Sequence, residues 1–152
     1  MRKLLSTIAV AGALCLSGAA QAQPASYPYT IYGLVEVQKG NGPLLECVLA
    51  VTFDYVSPPT PAEKKITDVQ LISGHDYCPS VQFPDGPWSF VYDPITHNFS
   101  IPYIFADTTV TPGDCEGSVA AVWNGTEYDI NAILPAVTPG SGDCTIVGVL
   151  VP

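Results

Sequence analysis

Four cysteines, Cys47, Cys78, Cys115 and Cys144, follow an opening stretch that reads as an export signal, and this combination constrains the fold more than any other feature. Arg2 and Lys3 form a positive region, residues 4–16 an apolar run, and Ala20-Gln21-Ala22 a small-x-small site, so cleavage is expected between Ala22 and Gln23. Cys15 would leave with residues 1–22, and Leu14 stands where a lipidated cysteine needs a small neighbour. An even number of cysteines in an exported chain reads as two disulfides. Three pairings are open to four cysteines. Cys47 and Cys78 lie 31 residues apart and Cys115 and Cys144 lie 29 apart, and the match favours those two pairs. Loops of that length, once closed, stabilise a fold by roughly 3–4 kcal/mol each in the chain-entropy picture. No C-x-x-C pair offers a zinc site, and an oxidising compartment would consume a free thiol nucleophile.

After cleavage, Lys39, Lys64 and Lys65 face fourteen carboxylates, a net charge of −11. No positive stripe can form, which argues against nucleic acid and anionic membrane surfaces as partners. No later segment approaches ~20 continuous apolar residues, so the chain reads as not membrane-spanning. Residues 23–152 suit one domain with a substantial core.

Fifteen prolines punctuate the chain, and no window sustains a helical period. Strand-like alternation recurs instead, in "TIYGLVEVQ" (30–38), "ECVLAVTFDYV" (46–56) and "KITDVQLIS" (65–73). The stretch "WSFVYDPITHNFSIPYIF" reads as a hairpin, with Trp88, Phe90 and Tyr92 on one face and Phe99, Ile101, Tyr103 and Phe105 on another. Further strands are expected at 116–123, 127–134 and 145–151, with Asn124-Gly125 as a hairpin turn. Eight or nine short strands with regular turns point to an all-β antiparallel sandwich over 44–152. Residues 23–43 read as an N-terminal arm or edge strand, suited to pairing with a neighbouring subunit.

Candidate chemistry is sparse. His75 lies beside Asp76 in a loop and His97 in a turn, and no G-x-S-x-G elbow accompanies them, so no catalytic residue is assigned. No D-x-D-x-D-G calcium loop is present, although Asp114, Glu116 and Asp143 near the cysteines are a speculative cation set. No metal or cofactor is assigned. Asn98 and Asn124 match the glycosylation sequon but suit turns, and Lys64 and Lys65 read as a solvated pair.

The order "LLECVLAVTF", "ITDVQLISGHDYC", "DGPWSF", "GDCEGSVAAVWNG" and "GDCTIVGVLV" resembles the secreted bacterial activators of alkane oxidation, the PraB-like family. The resemblance spans residues 44–151, anchored on the four cysteines, Pro87-Trp88 and Trp123-Asn124-Gly125. It implies a non-enzymatic protein, outside the cell, at its surface or in the periplasm, that helps cells contact or disperse an oily substrate. It supplies no catalytic residues. Contact with hydrophobic small molecules or an oil–water interface would need an exposed apolar patch. Tyr27, Tyr29, Tyr32, Trp88 and Tyr103 are the candidates. A structural or adhesive subunit that self-associates by strand addition is the alternative, and an enzyme acting on extracellular polymers is third.

Overall fold

The computed structural model describes residues 27–57, 61–109 and 111–152; the expected signal and its cleavage point lie outside them. Among the described residues there are nine strands: β1 (Tyr29–Lys39), β2 (Leu45–Val56), β3 (Glu63–Gly74), β4 (Val81–Gln82), β5 (Val91–Tyr92), β6 (Phe99–Thr108), β7 (Cys115–Trp123), β8 (Tyr128–Leu134) and β9 (Cys144–Leu150). Period-two patterning accounts for them: in β1, Ile31, Gly33, Val35 and Val37 are buried while the residues between them face out. All neighbours are antiparallel, in the order β3-β2-β1-β9-β8-β7-β6-β4, with β5 also on β6.

The all-β, antiparallel, two-disulfide expectation holds, but the two-sheet sandwich is corrected to one nearly closed barrel. The far edges of the sheet meet where Ile66 N donates to the Trp88 carbonyl at 3.0 Å and Trp88 N donates to the Ile66 carbonyl at 2.8 Å. Alternation along single strands is the same in a sandwich and a barrel, so only this long-range bridge distinguishes them. The N-terminal edge strand is corrected as well. β1 lies between β2 and β9 and is paired on both sides, leaving no free edge for strand addition. At Gly33, the backbone of β9 crosses so closely that a Cβ would overlap the Val149 carbonyl. Only glycine admits that approach.

Of three one-residue register shifts, one leaves Ile72 unpaired near the finish of β3, and the other two bear on the site. In β6, Ile101 pairs Val119 and Ile104 pairs Gly117, so Pro102 and Tyr103 together oppose Ser118. This bulge ends the shared face expected for Phe99, Ile101, Tyr103 and Phe105: Ile104 and Ala106 turn into the core and Tyr103 turns out. Proline at a bulge loses no ladder bond. In β3, Asp68 pairs Thr52 and Ile66 pairs Phe53, leaving Thr67 unpaired. The expected aromatic hairpin is also shorter, because Trp88 leaves it to bridge β3 and only Val91 and Tyr92 pair with β6. Between β7 and β8 the turn spans four residues, since Asn124 Oδ1 accepts from the amides of Thr126 and Glu127, both at 3.1 Å.

Because strands alternate in direction, the starts of β1, β3, β6 and β8 share one end with the finishes of β2, β7 and β9. Cys47, Cys115 and Cys144 lie at strand starts of the opposite end, and Cys78 follows the finish of β3 there. The favoured pairing is the one formed: Cys47–Cys78 with Cα atoms 5.7 Å apart and Cys115–Cys144 with Cα atoms 6.0 Å apart. Lys39, 7% exposed, is buried at this end and donates to the Gly113 carbonyl at 2.6 Å. Between the ends the interior is packed, with Ile66, Ile104, Leu134 and Leu150 almost wholly buried. A void of about 30 Å³ among Leu49, Phe83, Ile101 and Ile146 leaves no channel. Replacing Cys115 and Cys144 together by alanine should lower the unfolding free energy by roughly 3–4 kcal/mol in a urea titration. A loss below ~1 kcal/mol would show that this staple does not constrain the unfolded chain.

Candidate functional site

The end of the barrel away from the disulfides gathers aromatic rings from six separate stretches of chain. Tyr27 and Tyr29 enter at the start of β1, Phe53 and Tyr55 near the finish of β2, Phe90 and Tyr92 around β5, Phe99 at the start of β6, and Trp123 and Tyr128 across the β7–β8 turn. Tyr29 stacks on Phe53 with ring centres 5.0 Å apart, and Phe53 meets Phe90 and Phe99 edge-on at 5.4 and 5.8 Å. Tyr128 continues the chain of contacts, 5.1 Å from Phe99 and 4.9 Å from Trp123. Edge-to-face pairs at these distances each contribute about 0.5–1.5 kcal/mol beyond their burial. The rings do not close over one another. A cleft of about 510 Å³ remains, walled by Tyr29, Phe53, Phe90, Tyr92, Phe99 and Tyr128.

Lys64 is the one cation in this wall. The unpaired Thr67 resets the alternation of β3, so Lys64 shares the face of Ile66, and its exposed side chain brings the ammonium to the rim of the cleft. Its Nζ lies 4.9 Å from the centre of the Tyr27 ring, 5.5 Å from that of Tyr29, and 5.8 Å from those of Phe53 and Phe90. A cation over ring faces is attracted by the ring quadrupole. Loss of solvent around the ammonium opposes its charge, yet the Tyr27 and Tyr29 phenols more than offset this, and the Lys64 pKa is raised. Burial is the main cause that raises the Tyr29 pKa, with Lys64 pulling against it, and burial likewise raises that of Tyr128.

The structure divides the five aromatics singled out from the sequence. Tyr27 and Tyr29 come together at the mouth. Tyr32, 52% exposed, lies on the outer wall, and Tyr103, 50% exposed, stands outside at the β6 bulge and donates to Glu116 Oε2 at 2.8 Å. Trp88, 5% exposed, is part of the core. Five mouth rings, Phe53, Phe90, Tyr92, Phe99 and Tyr128, are not among the five singled out; Lys64 is exposed, as expected, but also lies over the mouth rings. Their shared signal is position: each lies at the strand terminus that an up-and-down order brings to the same end.

His75 and the carboxylates of Asp114, Glu116 and Asp143 lie apart from the mouth, whereas His97 reaches one of its wall residues, Tyr92. His75 Nδ1 accepts from Tyr77 N at 3.2 Å, and His97 Nδ1 bonds the Tyr92 hydroxyl at 2.7 Å. Asp114 accepts from Thr108 N, Asp143 from Ala136 N and Glu116 from Tyr103, so the three carboxylates serve separate contacts. Among the described residues, no three metal-ligating side chains converge. A larger groove, about 870 Å³, runs over the outer wall between Leu34, Leu44, Glu46 and Val147, but it is a sheet face without the mouth's converging rings.

An antiparallel, nearly closed barrel stapled at one end by two disulfides, with an aromatic cleft at the other, defines a small disulfide-bonded β-barrel protein. The chain matches the family described as alkane oxidation protein activator PraA/PraB-like over residues 1–152, and it belongs to that family. No curated protein and no solved structure matches it. Among the described residues no helix is long and apolar enough to cross a membrane.

The raised pKa values set a pH dependence. The folded state holds its proton at Tyr29 and Tyr128 above the ordinary tyrosine value of 10.0, and at Lys64 above the ordinary lysine value of 10.5. The unfolded chain therefore loses protons first as pH rises, so this contribution is intact below pH 10.0 and lost above it. The urea midpoint should fall between about pH 8 and about pH 11, and fall less in Tyr29→Phe. An equal fall in both proteins would exclude Tyr29 as a source.

Proposed function

We propose that the protein is an exported, non-enzymatic binding protein that serves alkane use by holding a hydrophobic molecule in its aromatic mouth. The observation that carries this reading is the cleft itself. Aromatic rings from five stretches converge on a space of about 510 Å³ and leave it unfilled, within the roughly 300–1,000 Å³ of small-molecule sites. Family membership supplies the hydrophobic context. The two disulfides fit an oxidising compartment outside the cytoplasm, whether the protein stays in the periplasm or is released. Covering exposed aromatic surface and expelling its water gives the driving force, about 0.8 kcal/mol for each CH₂ group buried.

A neutral apolar dye, N-phenyl-1-naphthylamine, tests the reading without any charge on the ligand. It should bind saturably, with one site for each protein. Tyr92→Ala, which trims the mouth, should weaken binding by about tenfold, the equivalent of 1–2 kcal/mol of lost contact. Tyr103→Ala removes a tyrosine of similar exposure from the outer wall and should leave affinity within about twofold. Unsaturable uptake, or an equal loss in both variants, would replace a defined mouth with general surface stickiness.

A further inference from the structure

We infer that the mouth selects amphiphiles with an anionic head, of which a medium- or long-chain carboxylate is the simplest, and that Lys64 is the residue that receives the head group. The inference rests on the binding role of the mouth and adds the chemical class of the ligand. Three observations converge on it.

Lys64 Nζ stands at the rim of the cleft, within 4.9–5.8 Å of four ring centres, on the face of β3 that carries Ile66. An ammonium brings three N–H donors and a full charge, and ring faces satisfy the charge without supplying a carboxylate oxygen. The other lysines have different settings. Lys39 is buried at the disulfide end against Gly113, and Lys65 pairs with Glu63 at 3.4 Å, the only ion pair among the described residues. The mouth therefore combines an apolar floor with one cation that has no carboxylate partner among the described residues. That combination is complementary to an alkyl chain ending in an anion: the chain covers the accessible Tyr29, Phe90, Tyr92 and Tyr128, above buried Phe53 and Phe99, while a carboxylate oxygen accepts from Nζ. A charge-assisted bond of this kind is stronger than a neutral one. An organic cation would fit the rings in isolation, but Lys64 already lies over them and would repel it. The chain's net charge of −9 sets a general field against anions, so the local cation decides which anion enters and where.

Calorimetric titration with decanoate, below its micelle-forming concentration, and with decan-1-ol of the same chain length separates head group from tail. Decanoate should bind the unaltered protein at one site, and Lys64→Met should weaken it by about tenfold or more while changing decan-1-ol by less than about threefold. Lys65→Met should leave decanoate within about threefold. Addition of decanoate to the unaltered protein, labelled at lysine side chains for NMR, should shift the Lys64 signal more than that of Lys65. This second readout holds even where a variant folds poorly. Equal decanoate affinity in Lys64→Met, an equal loss in Lys65→Met, or an unmoved Lys64 signal would overturn the assignment. If the neutral dye still binds in that case, the mouth remains a hydrophobic site without a head-group residue; if neither dye nor decanoate binds, the mouth reading falls as well.

Discussion

Two reciprocal hydrogen bonds between the backbones of Ile66 and Trp88 draw the edges of a nine-stranded sheet into a nearly closed barrel. Without them, β3 and the chain leading into β5 would each present an unpaired edge along the same core, an arrangement that invites pairing with other chains. Closure also sets the mouth. In an antiparallel bridge, the residues two steps beyond each partner on this side face one another, and here these are Lys64 and Phe90. The bond that closes the barrel thus brings the cation of β3 to within 5.8 Å of a ring from the strand it joins. Trp88 meets its role through the backbone and its buried ring; its indole Nε1 has no hydrogen-bond partner. An unpaired buried donor costs about 1–3 kcal/mol, which the packing of so large a ring must outweigh.

The two ends of the barrel solve different problems. Both disulfides and the buried Lys39 lie at one end, where covalent cross-links fix the strand starts. Aromatic packing and turn hydrogen bonds, such as that from Trp123 N to Asn98 Oδ1 at 2.8 Å, organise the other end, and several of its rings stay partly exposed. Half-exposed rings forfeit some of the burial that a fully packed core would give. Two staples, each contributing roughly 3–4 kcal/mol, are of the size needed to offset that deficit in a small domain. A mouth of unsatisfied apolar surface is therefore compatible with a stable fold only because stability is concentrated elsewhere.

Much of this was legible in the sequence because it is local. Strand positions follow from alternating residues, and the cysteine pairing follows from two loops of matching length. The barrel was not legible, since Ile66 and Trp88 belong to segments whose own patterns carry no trace of each other. Nor were the bulges. Reading β3 back from Leu71 and Val69 in strict steps of two places Thr67 and Lys65 inward and Lys64 outward, and nothing local marks Thr67 as the residue that breaks the step. The same rule carried past Ile101 places Tyr103 inward, although Pro102 beside it is a residue that a bulge tolerates well.

These two bulges have opposite consequences for the same kind of surface. At Pro102-Tyr103, one extra residue turns a tyrosine out of the core and onto the wall, where Glu116 takes its hydroxyl. At Thr67, one extra residue brings a lysine to the rim of the mouth, where its ammonium lies 4.9–5.8 Å from four ring centres. Because side chains on a strand have a period of two, each insertion exchanges the inner and outer faces beyond it. A strand without Thr67 would keep its pairing and its hydrophobic content, yet it would present Lys65 and not Lys64 to the cleft. The polarity of the mouth is thus fixed by backbone register and not by composition, and for this reason a chain so acidic can still hold a cation among its aromatic rings.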